Sequence, residues 1–138
     1  MRAPKSAVVV HLVWATWDRL PWITPEIEPR LHACLADEAR GLRCVPIAVG
    51  GVDDHVHVLL TVHPTIAVAK LVQQLKGSSS HVINKEIAPG FDFRWQGAYG
   101  AFSLSPGDVA SVTQYVARQK EHHARHNVIP DWECDDDQ

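Results

Sequence analysis

Residues 53–62, Asp-Asp-His-Val-His-Val-Leu-Leu-Thr-Val, constrain this chain more than any other stretch. Val56, Val58, Leu60 and Val62 alternate with His55, His57, Leu59 and Thr61, and a period of two is that of a β-strand. The alternation sets both imidazoles on one face, next but one to each other, with the valines on the other. Two histidines side by side on a rigid strand make a ready pair of metal ligands. The pattern alone is equally that of ordinary surface or core histidines. A third ligand and a reacting group must come from elsewhere in the chain.

The 138 residues suit one domain, residues 1–130, followed by an acidic tail, 131–138, expected to be disordered. No apolar run approaches the roughly 18 residues of a membrane span, and the start lacks a signal-peptide pattern. Cys34, Cys44 and Cys134 are odd in number and show no CxxC spacing, which points to a reducing compartment. A cytoplasmic protein is the expectation. Net charge is −3, but five acids fall in the last eight residues. Residues 1–130 hold eleven acids against thirteen bases, a balance of +2, far below that of a typical duplex-DNA binder.

Residues 7–17 are β-branched and aromatic and read as a first, central strand. Thr24-Pro25-Glu26 reads as a helix start, with Ile27, Leu31, Cys34 and Leu35 as the buried stripe and Gly41 near the end. Leu42 to Val49 reads as a second strand, turning through Gly50-Gly51-Val52-Asp53 into the histidine strand as an antiparallel hairpin. Pro64-Thr65 opens a second helix, striped by Val68, Leu71, Val72, Leu75, Ser79, Val82 and Ile83. Phe91 to Leu104 is strand-like, with Gly97 and Gly100 suggesting a bulge or a close backbone approach. Ser105-Pro106-Gly107-Asp108 resembles a capping box launching a third helix to about His126. The order βαββαβα predicts an α+β, ferredoxin-like βαββαβ core with an antiparallel sheet and an added C-terminal helix.

That last helix carries Tyr115 and, one turn later, Gln119. A tyrosine at the edge of an apolar stripe is ordinarily a packing residue. If the helix lies near the histidine strand, a different chemistry opens. His55, His57 and the Gln119 amide oxygen can then hold a divalent ion beside a Tyr115 nucleophile. A phenol ionises near pH ~10 and needs a nearby cation or base to attack at neutral pH.

Several segments, in this order, resemble the single-tyrosine HUH transposases. These are the small insertion-sequence enzymes and their relatives associated with repetitive extragenic palindromes. The segments are His11-Leu12-Val13-Trp14, Asp54 to Leu60, Leu75-Lys76-Gly77-Ser78-Ser79, Trp95 to Ser103, and Tyr115-Val116-Ala117-Arg118-Gln119 with His122-His123 beyond. The resemblance spans nearly all of residues 7–126. It implies His55, His57 and Gln119 as metal ligands, Tyr115 as nucleophile, Mg2+ or Mn2+ as cofactor, and single-stranded DNA with a hairpin as substrate. Imidazole ligands favour Mn2+ of the two. The resemblance also implies a homodimer with composite active sites in one branch and monomers in the other.

Other constellations are weaker. Tyr99 sits between glycines without a ligand-type partner one turn away. His122, His123 and His126 suit a helix C-terminus. A HIT-type hydrolase would want a histidine at position 59, which is leucine, and the His63-Pro64-Thr65 run leads into a helix rather than lying on a strand. Lys76, Arg19, Arg94 and Arg118 are the candidate DNA contacts, with Trp14, Trp17, Trp95 or Phe102 as stacking platforms. The expected function is cleavage and rejoining of single-stranded DNA through a phosphotyrosine. The alternative is a domesticated relative that binds nucleic-acid hairpins without cutting them.

Overall fold

The computed structural model describes residues 8–124 together with Ile129 and Glu133. Strand β1 (Val9–Ala15) is flanked on both sides. It pairs antiparallel with β3 (His55–Thr61) and with β4 (Gly100–Leu104), and β2 (Val45–Gly51) adds to β3. The order β2-β3-β1-β4 with these connections is the expected ferredoxin-like sheet. The interior place of β1 explains its apolar and aromatic run, interrupted only by His11, since the strand has no solvent face to supply.

Helices α1 (Glu28–Gly41) and α2 (Val68–Val82) cover one face. Leu31, Leu35 and Ala39 of α1 and Leu71, Val72 and Leu75 of α2 share a core with Val10, Leu12, Trp14, Val56, Val58 and Leu60 of the sheet. Each such aliphatic side chain stabilises the fold by about 1.5–3 kcal/mol on burial. The opposite face carries His11, His55, His57 and Leu59, and α3 (Val109–Ala117) lies across it. Val112 and Val116 pack on Leu59 there, bordered by Val9, Ala48 and Leu104. The histidine strand is therefore buried on both faces, and the imidazoles lie under a helix.

Gly50 sets how close that helix comes. It stands opposite His57 in the β2–β3 register, and a Cβ at this position would lie 1.9 Å from the Val116 carbonyl oxygen. Only a residue without a side chain admits α3 at this height. Gly100 plays a lesser version of this part, since a Cβ there would meet Val13 Cγ1 at 2.9 Å, whereas Gly97 faces open space.

Element ends depart from the sequence expectation where side chains satisfy the backbone. Thr24 caps a preliminary turn by accepting the Ile27 N–H, so α1 begins at Glu28 with Pro29 in its first turn. His63 to Ile66 form a turn, which delays α2 to Val68. The expected strand over 91–104 shrinks to Gly100–Leu104 plus a Thr16–Trp95 bridge. Asn84 takes both backbone groups of Phe93, and Lys76 Nζ donates to the carbonyls of Gln96 and Ala98. Those groups thus find partners outside a ladder. The Ser105 hydroxyl donates to the Asp108 carboxylate instead of closing a capping box, and a 3₁₀ turn precedes α3. The single expected third helix is broken at Arg118 (φ −111°, ψ 30°), and α4 (Gln119–Ala124) follows.

Gly50→Ala is expected to push α3 off the sheet and lower the unfolding free energy by about 1–3 kcal/mol. Urea denaturation checks this, and an unchanged midpoint would show that Val116 can move aside freely.

Candidate active site

The period-two alternation of β3 sets His55 and His57 on the α3 side, with ring centroids 5.1 Å apart. Both are buried, at 1% and 0% exposure, and each ring is held through its Nδ1 atom. His55 Nδ1 lies 2.7 Å from Asp54 Oδ1, and Asp54 also pairs with Arg19 at 3.6 Å. His57 Nδ1 lies 2.7 Å from Nε2 of His11, which is fully buried on β1. With the Nδ1 atoms engaged, both Nε2 atoms point the same way.

They point at Glu133. Its carboxylate lies 3.3 Å from His55 Nε2 through Oε1 and 3.0 Å from His57 Nε2 through Oε2. The Tyr115 hydroxyl donates to Glu133 Oε2 at 3.1 Å and accepts the Ile129 N–H at 2.9 Å. Tyr115 stands on the buried stripe of α3 beside Val112 and Val116, and its ring centroid is 6.0 Å from that of His57. Gln119, buried to 1% exposure at the start of α4, donates from Nε2 to the Tyr115 backbone carbonyl at 3.1 Å, and its side chain also bonds the phenol. Sequence reasoning missed Glu133 by treating residues 131–138 as a solvated tail. An isolated glutamate in an acidic run carries no periodicity from which to read a partner. Apart from Glu133, that tail lies outside the described residues, as do the His122, His123 and His126 side chains.

Electrostatics follow from burial and the carboxylates. Burial and the adjacent His57 lower the His11 imidazole to about 3, so it is neutral. Burial alone would lower His55 too, but its bonds to Asp54 and Glu133 outweigh that and raise it to about 9. Burial would raise Glu133, yet its bonds to the two histidines hold it well below the usual carboxylate range. Burial, reinforced by Glu133, pushes the Tyr115 phenol up to about 12, against the bonds from Ile129 and Gln119 that favour the phenolate. A metal-free site at neutral pH therefore holds an imidazolium at 55, a carboxylate at 133 and a protonated phenol.

The candidate DNA contacts are placed differently from one another. Arg94 lies over the exposed ring of Trp17 at 4.8 Å, and Arg19 is on the adjacent turn, paired with Asp54. Arg118 is exposed at the α3–α4 break. Lys76 instead tacks down the 96–98 backbone, with its ammonium 5.9 Å from the Tyr99 ring. Tyr99 packs against the core on the α1–α2 side, away from the histidines. Trp14 and Trp95 are core residues.

The family model described as "Transposase IS200 like" matches residues 4–119. The chain belongs to the IS200-like transposase family. It is 29% identical over 119 residues to the ISDra2 transposase TnpA of Deinococcus radiodurans, covering 80% of this chain and 83% of that one. A crystal structure of a candidate transposase from Deinococcus radiodurans R1 superposes with a TM-score of 0.69 at 26% identity, over 84% of this chain and 93% of that one. A REP-associated tyrosine transposase bound to a REP hairpin shares the fold, with a TM-score of 0.63 at 15% identity over 98% and 90% of the two chains. This IS200-like protein is accordingly a transposase, and the family implies DNA cleavage and strand transfer. Among its described residues no helix is long and apolar enough to cross a membrane.

The His55 shift has a measurable consequence in chelator. Its folded pKa, about 9, exceeds the ordinary imidazole value of 6.5, so the stability it adds is complete below pH ~6.5 and disappears as pH rises through about 9. The stability gap between wild type and His55→Gln is expected to shrink by roughly 1–3 kcal/mol between pH 6 and pH 10. A gap that does not vary with pH would contradict the Asp54–His55–Glu133 arrangement.

Proposed function

We propose that this transposase cleaves and rejoins single-stranded DNA with hairpin-containing ends through a covalent 5′-phosphotyrosine on Tyr115, with a divalent ion, Mg2+ or Mn2+, held by His55, His57 and Gln119. One observation carries the reading. The phenol of Tyr115 and both Nε2 atoms of the histidine pair converge on a single carboxylate, so nucleophile and ligands face the same small volume.

The residues fit a divalent ion. Ligand atoms of His55, His57 and Glu133 lie within 4.8 Å of one another, and the two Glu133 carboxylate oxygens lie 3.3 and 3.0 Å from the two Nε2 atoms. Two imidazoles with an amide or carboxylate oxygen are borderline-to-hard donors that suit Mn2+ better than Mg2+. Glu133 is thus a further oxygen donor beside Gln119, whose side chain also fixes the phenol. When bound, the ion supplies positive charge that polarises the scissile phosphate and offsets the carboxylate facing Tyr115.

The chain's own residues carry the remaining chemistry. The hydrogen bond from the Tyr115 hydroxyl to Glu133 Oε2 supports that carboxylate as the acceptor of the phenol proton. The Tyr115 oxygen forms a bond to phosphorus, the bond from phosphorus to the 3′ oxygen breaks, and that oxygen leaves as a 3′ hydroxyl after protonation. The phosphotyrosine keeps the phosphoester's reactivity, so rejoining to another 3′ hydroxyl needs no nucleotide cofactor. The structural relative bound to a REP hairpin supports a hairpin as the recognised element. The Arg94–Trp17 stack and Arg19, on the side of the site marked by Asp54, offer cation and ring surface to a single strand. Tyr115 meets the histidines within one chain, which supports a site assembled in cis over one shared between the subunits of a homodimer.

Incubation with labelled hairpin-containing single-stranded DNA and Mn2+ is expected to give a covalent protein–DNA band on a denaturing gel. Tyr115→Phe abolishes it, and His57→Ala reduces cleavage at least a hundredfold while leaving hairpin binding within a few-fold. Mixing the two variants should not restore the band, whereas restoration would place the tyrosine and histidines in different subunits. Hairpin binding with no adduct over a range of substrates and ions would instead establish the non-cleaving binding protein.

A further inference from the structure

His11 is unusual among the buried residues. It is fully enclosed between Leu59 and Phe102, its cross-strand neighbours on β3 and β4, and its ring centroid lies 5.9 Å from that of Phe102. Its Nδ1 atom has no hydrogen-bond partner among the described residues. Among the described residues it makes one bond, between Nε2 and His57 Nδ1 at 2.7 Å, with ring planes that differ by 22°. A buried polar ring with one nitrogen unsatisfied is destabilising, and an apolar residue of similar size would serve the core better. The side chain therefore has to be explained by what its single bond does.

We propose that His11 is a positioning residue for the metal centre, fixing the ring plane and tautomer of His57. The inference rests on the metal reading above. A ligating imidazole must offer a bare Nε2, so its proton resides on Nδ1 and needs an acceptor there. His55 has the Asp54 carboxylate for this purpose, and His57 has His11 Nε2. The two acceptors differ in charge. A carboxylate beside each histidine, with Glu133 in front, would put three anions around a site that must receive a phosphodiester. A neutral imidazole at position 11 orients His57 without adding the third. It also differs from a carboxylate in being able to donate, so it can serve the opposite His57 tautomer, in which Nε2–H faces Glu133 at 3.0 Å.

The test is Mn2+ binding by the full chain without DNA, followed by calorimetry and by the electron-paramagnetic signal of free Mn2+. His11→Phe keeps the ring and loses the acceptor, and its affinity is expected to fall 10- to 100-fold. His11→Gln, whose amide oxygen reaches the same position, is expected to stay within about threefold of wild type. A folded His11→Phe protein that binds as wild type overturns the proposal, and so does a His11→Gln protein as weak as His11→Phe, which would make the role one of packing. Should His11→Phe fail to fold, nitrogen-15 spectra of the wild-type histidines loaded with Zn2+ decide. A proton on His57 Nδ1 with His11 Nε2 bare is expected, and a protonated His11 Nε2 sinks the idea. Wild-type protein that binds no Mn2+ at all would overturn the metal reading itself.

Discussion

The close approach of α3 to the sheet is the contact on which the rest of the site depends. Where the Val116 carbonyl lies over Gly50, the backbone of the helix sits almost on the strand beside His57. Tyr115, the residue before Val116, is thereby brought to within 6.0 Å of that histidine ring, centroid to centroid. Val112, Val116 and Leu59 then close the space with apolar surface. This packing buries His11, His55 and His57, and burial strengthens the charge interactions that set the His55 and Glu133 shifts.

The sheet divides its two duties between its faces. The α1–α2 face holds nearly all of the hydrophobic core, which frees the other face to bury polar groups at some cost in stability. Three of those polar groups are histidines, each with a named partner: Asp54 for His55, His11 for His57, and Glu133 across the front of the last two. A strand buried on both sides would normally be apolar throughout, so imidazoles under a helix mark a function that the core itself does not require.

The sequence made the ferredoxin-like order legible because the periods of β3, α1 and α2 are strong and the turns between them are short. The histidine pair was legible for the same reason, since a period of two leaves no choice about shared faces. Tyr115 and Gln119 were legible as neighbours one turn apart, but only the resemblance to a known family tied them to β3, which lies about sixty residues earlier. Glu133 had no local signal at all. His11 stood out only as a polar residue inside a strand, and its partner is fixed by the β1–β3 register, which a single sequence does not display. The element ends at 91–104 and 118 went astray because side chains of Asn84 and Lys76, and a backbone break at Arg118, replaced the regular ladders expected there.

Those side-chain tethers also bear on how the fold tolerates change. The segment between α2 and β4 is fastened by Asn84 at Phe93, by the Thr16–Trp95 bridge, and by Lys76 at Gln96 and Ala98, and the β1–β4 ladder then runs from Gly100 onward. Length added at the exposed Gly97, between the Gln96 and Ala98 tethers, would be absorbed as slack, without sliding β4 along β1 or turning its side chains to the wrong face. Tolerance is confined to that point, because Phe93 and Trp95 before it are built into the core, so the outline of the protein can vary there while the histidine face keeps its alignment.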